Sequence, residues 1–183
     1  MSAPGHAAPP SAPGQVAPPS APGQVAPLSA LGHATAYGYE DPDAGVLEAF
    51  ANPSPARTWA VSLLCEEFTT LCPVTGQPDY GRLHIDYVPL DRCVESKSLK
   101  LYLVRFRNHG TFHEACVNRV ADDLYDLLAP LYLRVYGDFA PRGGIAIKPL
   151  AVREADGLDE GARERCLSVL DQALRVGGRL HGA

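Results

Sequence analysis

The stretches RLHIDYVP (residues 82–89) and SKSLKLYLVRFR (residues 96–107) stand almost back to back and follow different hydrophobic rules. In the first, Leu83, Ile85 and Tyr87 alternate with Arg82, His84 and Asp86, the period of a half-buried strand. In the second, Leu99, Tyr102, Leu103 and Phe106 recur at i, i+3, i+4 and i+7, the period of a helix with one apolar face. A strand that runs directly into an amphipathic helix implies a sheet and helices sharing one core.

Outward from this pair the pattern is symmetrical. On the N-terminal side, TWAVSLLCEEF (58–68) puts Val61, Leu63 and Cys65 on one strand face, with Ser62 and Glu66 on the other. EFTTLCPVTGQPDY (67–80) reads as the loop between the two strands. On the C-terminal side, Asn108 to Gly110 should stop the first helix with a left-handed cap. TFHEACVNRVADDLYDLLAP (111–130) then reads as a second helix, with Val117, Val120, Leu124 and Leu127 inward and Pro130 closing it. LYLRVYGDF (131–139) and GIAIKPLAV (144–152) are two further strands across the turn at 141–144. The order β-β-α-α-β-β predicts an α+β fold, an antiparallel sheet with helices on one face. A further surface helix is expected at 158–176. The open edges of so small a sheet favour pairing with other protomers.

Residues 1–45 contain four copies of a nine-residue unit, SAPGHAAPP, SAPGQVAPP, SAPGQVAPL and SALGHATAY, starting at Ser2, Ser11, Ser20 and Ser29. Proline removes donors and glycine adds chain entropy, so a solvated, disordered tail is expected there. The folded domain then spans 46–155, and 156–183 is an extension without an assigned role. A net charge of −5 with no basic stripe disfavours nucleic-acid binding. No apolar run of about 18 residues occurs, so no membrane helix or signal peptide is expected. Five cysteines (65, 72, 93, 116 and 166) without a C-x-x-C suggest free thiols in a reducing cytoplasm.

Among these, Cys65 faces inward and reads as a small core hydrophobe. Cys72 differs, because it sits where the strand breaks, beside Pro73 and ahead of a Thr-Gly turn. Asp79, returned by the loop, could accept the thiol proton and later hand it to a reacting nitrogen; the alternative is a purely structural turn. Thr111 and Glu114 fit a capping box, against a reading in which His113 and Glu114 face a ligand. His109, His113, Cys93 and Cys116 suggest zinc only weakly, since Gly110 should break the helix between the histidines, and no metal is expected. Lys97, Lys100, Arg105 and Arg107 are either a solvated face or a phosphate-binding one. Neither a G-x-G-x-x-G fingerprint nor a P-loop is present.

Three segments, EFTTLCPVTGQPDY, VESKSLKLYLVRFRNHGTFHE and the lead-in LEAFANPSPAR, together resemble the NADPH-dependent 7-cyano-7-deazaguanine reductases, the nitrile reductases of queuosine biosynthesis in tRNA modification. The resemblance covers roughly residues 45–153. It implies the tunnelling fold, with a barrel closed by oligomerisation and active sites between subunits of a homo-oligomer. It also implies that Cys72 is the nucleophile, forming a thioimide with the nitrile, and that Asp79 is the proton donor. Val94, Glu95, Ser96, His113 and Glu114 would then contact the substrate, 7-cyano-7-deazaguanine. ESKSLKLY (95–102) would serve NADPH, with Lys97, Ser98, Lys100 and Tyr102 as its cofactor residues. Arg105 departs from the family pattern, in which a small hydroxyl residue is expected. The alternatives are an amidine-forming relative acting on the same nitrile, a zinc-dependent pterin cyclohydrolase of the same fold, and a non-catalytic binding module that uses the proline-rich tail.

Overall fold

A computed structural model describes residues 28–30, 32, 34–35, 37–39 and 41–180, so of the tail expected at 1–45, residues 1–27, 31, 33, 36 and 40 lie outside the described residues. Among the described residues six strands and three α-helices follow in the order β1 (Ala49–Ala51), β2 (Val61–Leu71), β3 (Pro78–Val88), β4 (Arg92–Val94), α1 (Ser96–Val104), α2 (His113–Leu128), β5 (Tyr132–Phe139), β6 (Leu150–Glu154) and α3 (Glu160–Leu180). The main sheet is antiparallel in the order β2-β3-β5-β6, and β1 pairs with β4 in a separate ribbon.

The alternation that announces β3 is what layers the molecule. Ile85 stands opposite Leu63 on one side and Val135 on the other. Leu83, Ile85, Tyr87, Leu133 and Val135 are all buried, on the face against which α1 and α2 pack. The helical positions read from the sequence close this core: Leu99, Tyr102, Leu103 and Phe106 from α1 and the turn after it, and Val117, Val120 and Leu124 from α2. Leu127 is only partly buried, and Leu128 takes the inner position instead.

Several boundaries differ from expectation. The strand beginning at Val61 runs on to Leu71 through a one-residue bulge between Cys65 and Phe68. The extra residue leaves both Glu66 and Glu67 exposed and turns Phe68 into the core. The loop thus shrinks to residues 72–77. α1 does not end in a left-handed cap: a 3₁₀ turn, Arg105–Asn108, tightens its last turn and His109 is extended at φ −87°. The left-handed cap belongs to α2, at Ala129 (φ 43°), just before Pro130. The last strand begins at Leu150 rather than 144, and Ile145 and Ile147 are exposed. α3 lies on the sheet face opposite α1 and α2, where Cys166 and Leu170 cover Val88 and Tyr132.

The N-terminal segment also meets the domain. The Ser29 and Ala30 amides bond the Glu48 carboxylate at 2.9–3.2 Å, and Lys97 Nζ donates to the Ala30 carbonyl at 2.6 Å. The docking residues belong to the fourth repeat unit, whose sequence departs most from the proline-rich pattern.

Candidate active site

β2 and β3 are joined by a tight turn, closed by the Cys72 amide on the Gln77 carbonyl and the Gly76 amide on the Cys72 carbonyl, both at 2.9 Å. Gly76 is left-handed at φ 66°, which the turn requires. Asp79 pairs across the ladder with Thr70, so thiol and carboxylate belong to the same end of one hairpin. That end is pinned to the lead-in of α2: the Leu71 amide reaches the His109 carbonyl and the Thr111 amide the Leu71 carbonyl, each at 3.0 Å. A Cβ on Gly110 would already touch Pro73 at 3.4 Å.

Around Asp79 three distant segments converge. Its carboxylate is 5 % exposed; Oδ1 takes the Arg142 Nε at 2.5 Å, and Oδ2 lies 3.3 Å from His113 Nε2. His113 is stacked flat on Phe139, with ring centroids 3.9 Å apart and planes 8° apart. Phe139 in turn presses on Gly81, where any Cβ would meet its ring at 2.9 Å. The glycine therefore lets the Phe139–His113 stack settle beside Asp79. The Nε2 of His113 is buried and makes no hydrogen bond, because Asp79 lies off its donor axis. A buried ring nitrogen that makes no hydrogen bond and has the Asp79 carboxylate 3.3 Å away is a position for a ligand's polar edge.

Arg142 was invisible as a functional residue in the sequence, where it reads only as part of a Pro-Arg-Gly-Gly turn. Here it holds Asp79, donates to the Gln77 carbonyl at 3.0 Å and supports the Cys72 sulfur. Cys72 is partly exposed, and hydrogen bonds from Thr75, then Arg142 and the Val74 backbone, bring its thiol down to about 6. Burial pushes Cys65, Cys93, Cys116 and Cys166 the other way, Cys116 up to about 12. One cysteine of five is thus an accessible thiolate at neutral pH. The rate of iodoacetamide alkylation of Cys72 should rise with pH through a midpoint near 6. In Thr75→Val, which removes the largest stabilising contact, that midpoint should move up toward the ordinary ~8.5.

The remaining sequence candidates fall into two groups. Glu114 is exposed on the first turn of α2 and forms no capping box; Phe112 is the cap residue, and Thr111 Oγ1 donates instead to the Phe112 carbonyl. Glu95 is the N-cap of α1, its carboxylate accepting from the Lys97 and Ser98 amides at 2.8 and 2.7 Å. Val94 gives its amide to Tyr87 Oη at 3.1 Å, and Ser96 is exposed. Ser98 and Tyr102 face the core: Ser98 bonds Glu95 and Glu48, and Tyr102 Oη donates to Asp123 at 2.6 Å. Of the cofactor candidates, Lys97 and Lys100 remain on the side facing the N-terminal segment. Losing the cap in Glu95→Ala should lower unfolding stability by ~0.5–2 kcal/mol in urea titration. His109 and His113 are separately engaged, by Asp41 and by the Asp79–Phe139 pocket, and no metal-ligating cluster occurs among the described residues.

A family model described as "QueF-like protein" matches residues 78–157. The chain is 55 % identical over 133 residues to the NADPH-dependent 7-cyano-7-deazaguanine reductase of Helicobacter pylori (strain P12), covering 71 % of this chain and 89 % of that protein. It is 54 % identical over 109 residues to the protein of the same name from Streptococcus mutans serotype c, covering 60 % of this chain and 67 % of that one. The crystal structure of the archaeosine synthase QueF-Like in the apo form superposes with a TM-score of 0.50 at 16 % identity, over 56 % of this chain and 99 % of that one; the likeness is one of fold. By sequence over most of the relative's length, this chain belongs to the family of NADPH-dependent 7-cyano-7-deazaguanine reductases.

Proposed function

We propose that this protein reduces the nitrile of 7-cyano-7-deazaguanine to the aminomethyl group, using two NADPH per substrate, in the cytoplasmic supply of queuosine to tRNA. The observation that carries this reading is the accessible Cys72 thiol, lowered to about 6, on the same hairpin end as Asp79. Nitriles are weak electrophiles and need an anionic sulfur rather than a thiol.

In the mechanism, the Cys72 thiolate forms a C–S bond to the nitrile carbon as one C–N π bond becomes an N–H bond. Asp79 acts as the general acid and gives a proton to that nitrogen, leaving a neutral thioimide and a carboxylate. Arg142 then stabilises the carboxylate it holds at 2.5 Å. NADPH, when bound, would supply hydride to carbon twice; with one further proton from solvent this gives the amine and frees the thiolate, and a second solvent proton restores the Asp79 carboxyl. Departure of Cys72 between the two reductions is favoured by the same contacts that stabilise its anion. His113 Nε2, buried and unbonded, offers the heterocycle a polar contact, and the exposed Glu114 carboxylate can pair with an N–H and NH₂ edge.

The residues present fit the cofactor. A cavity of about 530 Å³ is lined in part by Ser96, Lys100 and Arg107, and also by Phe68 and Thr69 of the strand that leads to Cys72. Lys100 and Arg107 would hold phosphate charge there. The reading includes a homo-oligomeric barrel of the tunnelling type, supported by the edge strands β2 and β6 with exposed Leu64, Leu150 and Val152. The substrate is a free base rather than nucleic acid, in keeping with the net charge of −5. Among the described residues no helix is long and apolar enough to cross a membrane.

The test is an intact-mass measurement after incubation with the nitrile alone, then with NADPH. A one-to-one mass gain that disappears on adding NADPH, with amine released, is the expected result. An adduct that NADPH leaves untouched would point to the amidine-forming chemistry instead, and no adduct from folded, reduced protein would overturn the reading.

A further inference from the structure

Two large aromatic rings stand half in solvent on the N-terminal segment, Tyr37 at 49 % and Tyr39 at 41 % exposure. Neither belongs to a hydrophobic core cluster. They are nearly parallel, 10° apart with centroids 6.2 Å apart, and so present stacked faces. Each has a cation against it: Lys100 Nζ lies 5.6 Å from the Tyr37 centroid, and the Arg107 guanidinium 5.7 Å from that of Tyr39. All four side chains line the cavity of about 530 Å³ described above.

The segment is anchored independently of these rings. Ser29 and Ala30 hold it at Glu48 and Lys97, and Asp41 Oδ1 meets His109 Nδ1 at 2.8 Å. Lys97 thus serves as an anchor for the segment, and the cations directed at the aromatic faces are Lys100 and Arg107. Arg105, the residue that departs from the family pattern, lies against Gly38, between the two tyrosines. In a chain of net charge −5, parallel aromatic faces backed by cations over a cavity suit a planar heterocycle that carries phosphate.

We infer that Tyr37 and Tyr39 are the base-stacking wall of the dinucleotide site, on which the adenine of the cofactor lies while Lys100 and Arg107 take its phosphate charge. This rests on the reductase reading given above. The polarity follows from the fold. The Arg107 end of the helix leads through Gly110 to Leu71 and the Cys72 loop, whereas Lys100 and Tyr37 lie about 10 Å further along the axis. The reactive end of the cofactor belongs beyond the first of these, toward the Cys72 loop, and the adenine on the tyrosine wall away from it.

The test uses the full-length protein as wild type, Tyr37→Ala/Tyr39→Ala and Tyr37→Phe/Tyr39→Phe. Kd is measured by calorimetry for NADPH and for adenosine 2′,5′-bisphosphate, with Cys72 adduct formation on the nitrile followed in parallel. The alanine pair should weaken both nucleotides at least about tenfold, as loss of base stacking does, and the phenylalanine pair should stay within about twofold of wild type. Adduct yield should be the same in all three. Unchanged binding by the alanine pair would overturn the inference, as would wild-type protein that binds neither nucleotide. Tighter binding would also overturn it, meaning that the segment covers the cationic face instead of building a site there. Loss of the adduct alongside the expected nucleotide result would sink the reductase reading and leave the stacking wall standing.

Discussion

Cys72→Ala should form no covalent adduct with 7-cyano-7-deazaguanine and should lose turnover by about 10⁴-fold or more, while melting within a few degrees of wild type. The size of the effect follows from the proposed chemistry, in which without sulfur there would be no thioimide for hydride to reduce. The small effect on stability follows from position. The thiol is partly exposed at a turn, and the backbone contacts that close the turn, Cys72 amide to Gln77 carbonyl and Gly76 amide to Cys72 carbonyl, survive the substitution. The four other cysteines cannot substitute, since burial raises their thiols and keeps them protonated. Intact mass and steady-state NADPH oxidation together check this; a Cys72→Ala enzyme that still reduces the nitrile would end the covalent mechanism.

The second large effect is expected at Asp79. Asp79→Asn keeps the volume and can still accept a bond from Arg142, but an amide cannot deliver a carboxyl proton to nitrogen. Turnover should fall by about 10²–10⁴-fold, the usual worth of a positioned general acid. Because the thiol is lowered by Thr75, Arg142 and the Val74 backbone, the alkylation midpoint of Cys72 should remain near 6 in this variant. The sign can be checked directly. A thiol lowered in the folded protein is mostly thiolate above that midpoint, so reactivity at neutral pH persists in Asp79→Asn and declines only as pH falls through about 6. The two readouts separate proton donation from nucleophile activation. Some stability is also lost, by ~1–3 kcal/mol, because a buried carboxylate that pairs with a guanidinium is replaced by a weaker acceptor.

How much of this was legible beforehand differs residue by residue. The change of hydrophobic period between Tyr87 and Leu99 was enough to predict a strand followed by a helix, and the apolar residues named from periodicity in these two segments are all buried, although Asp86 is buried as well and Leu127 of α2 gives way to Leu128. Cys72 and Asp79 were legible as a pair, since both flank one turn and the hairpin register then joins them locally. Boundaries were less legible. The bulge at Cys65–Phe68 adds a residue without any glycine or proline to mark it, and the 3₁₀ ending of α1 depends on docking His109 against Leu71. The expected capping box failed for a related reason: the Thr111 amide is drawn to Leu71, so the helix starts one residue later, from Phe112.

By itself, then, the sequence determined what local patterns encode: alternating and helical apolar faces, the turn that sets a thiol near a carboxylate, and motifs long enough to mark a family. Only the tertiary structure decided which distant side chains complete that turn. Arg142 reaches Asp79 and Cys72 because β3 and β5 are antiparallel neighbours, which returns the chain after Phe139 to the end of the hairpin where β3 begins. His113 arrives on α2, fixed by stacking on Phe139 over a glycine that leaves it room. The docking of Tyr37 and Tyr39 on Lys100 and Arg107 was equally unreadable, since the pairing spans more than sixty residues of chain. Contacts of this kind depend on through-space charge and ring geometry, which one-dimensional spacing does not carry, and they convert an ordinary hairpin turn into a reactive site.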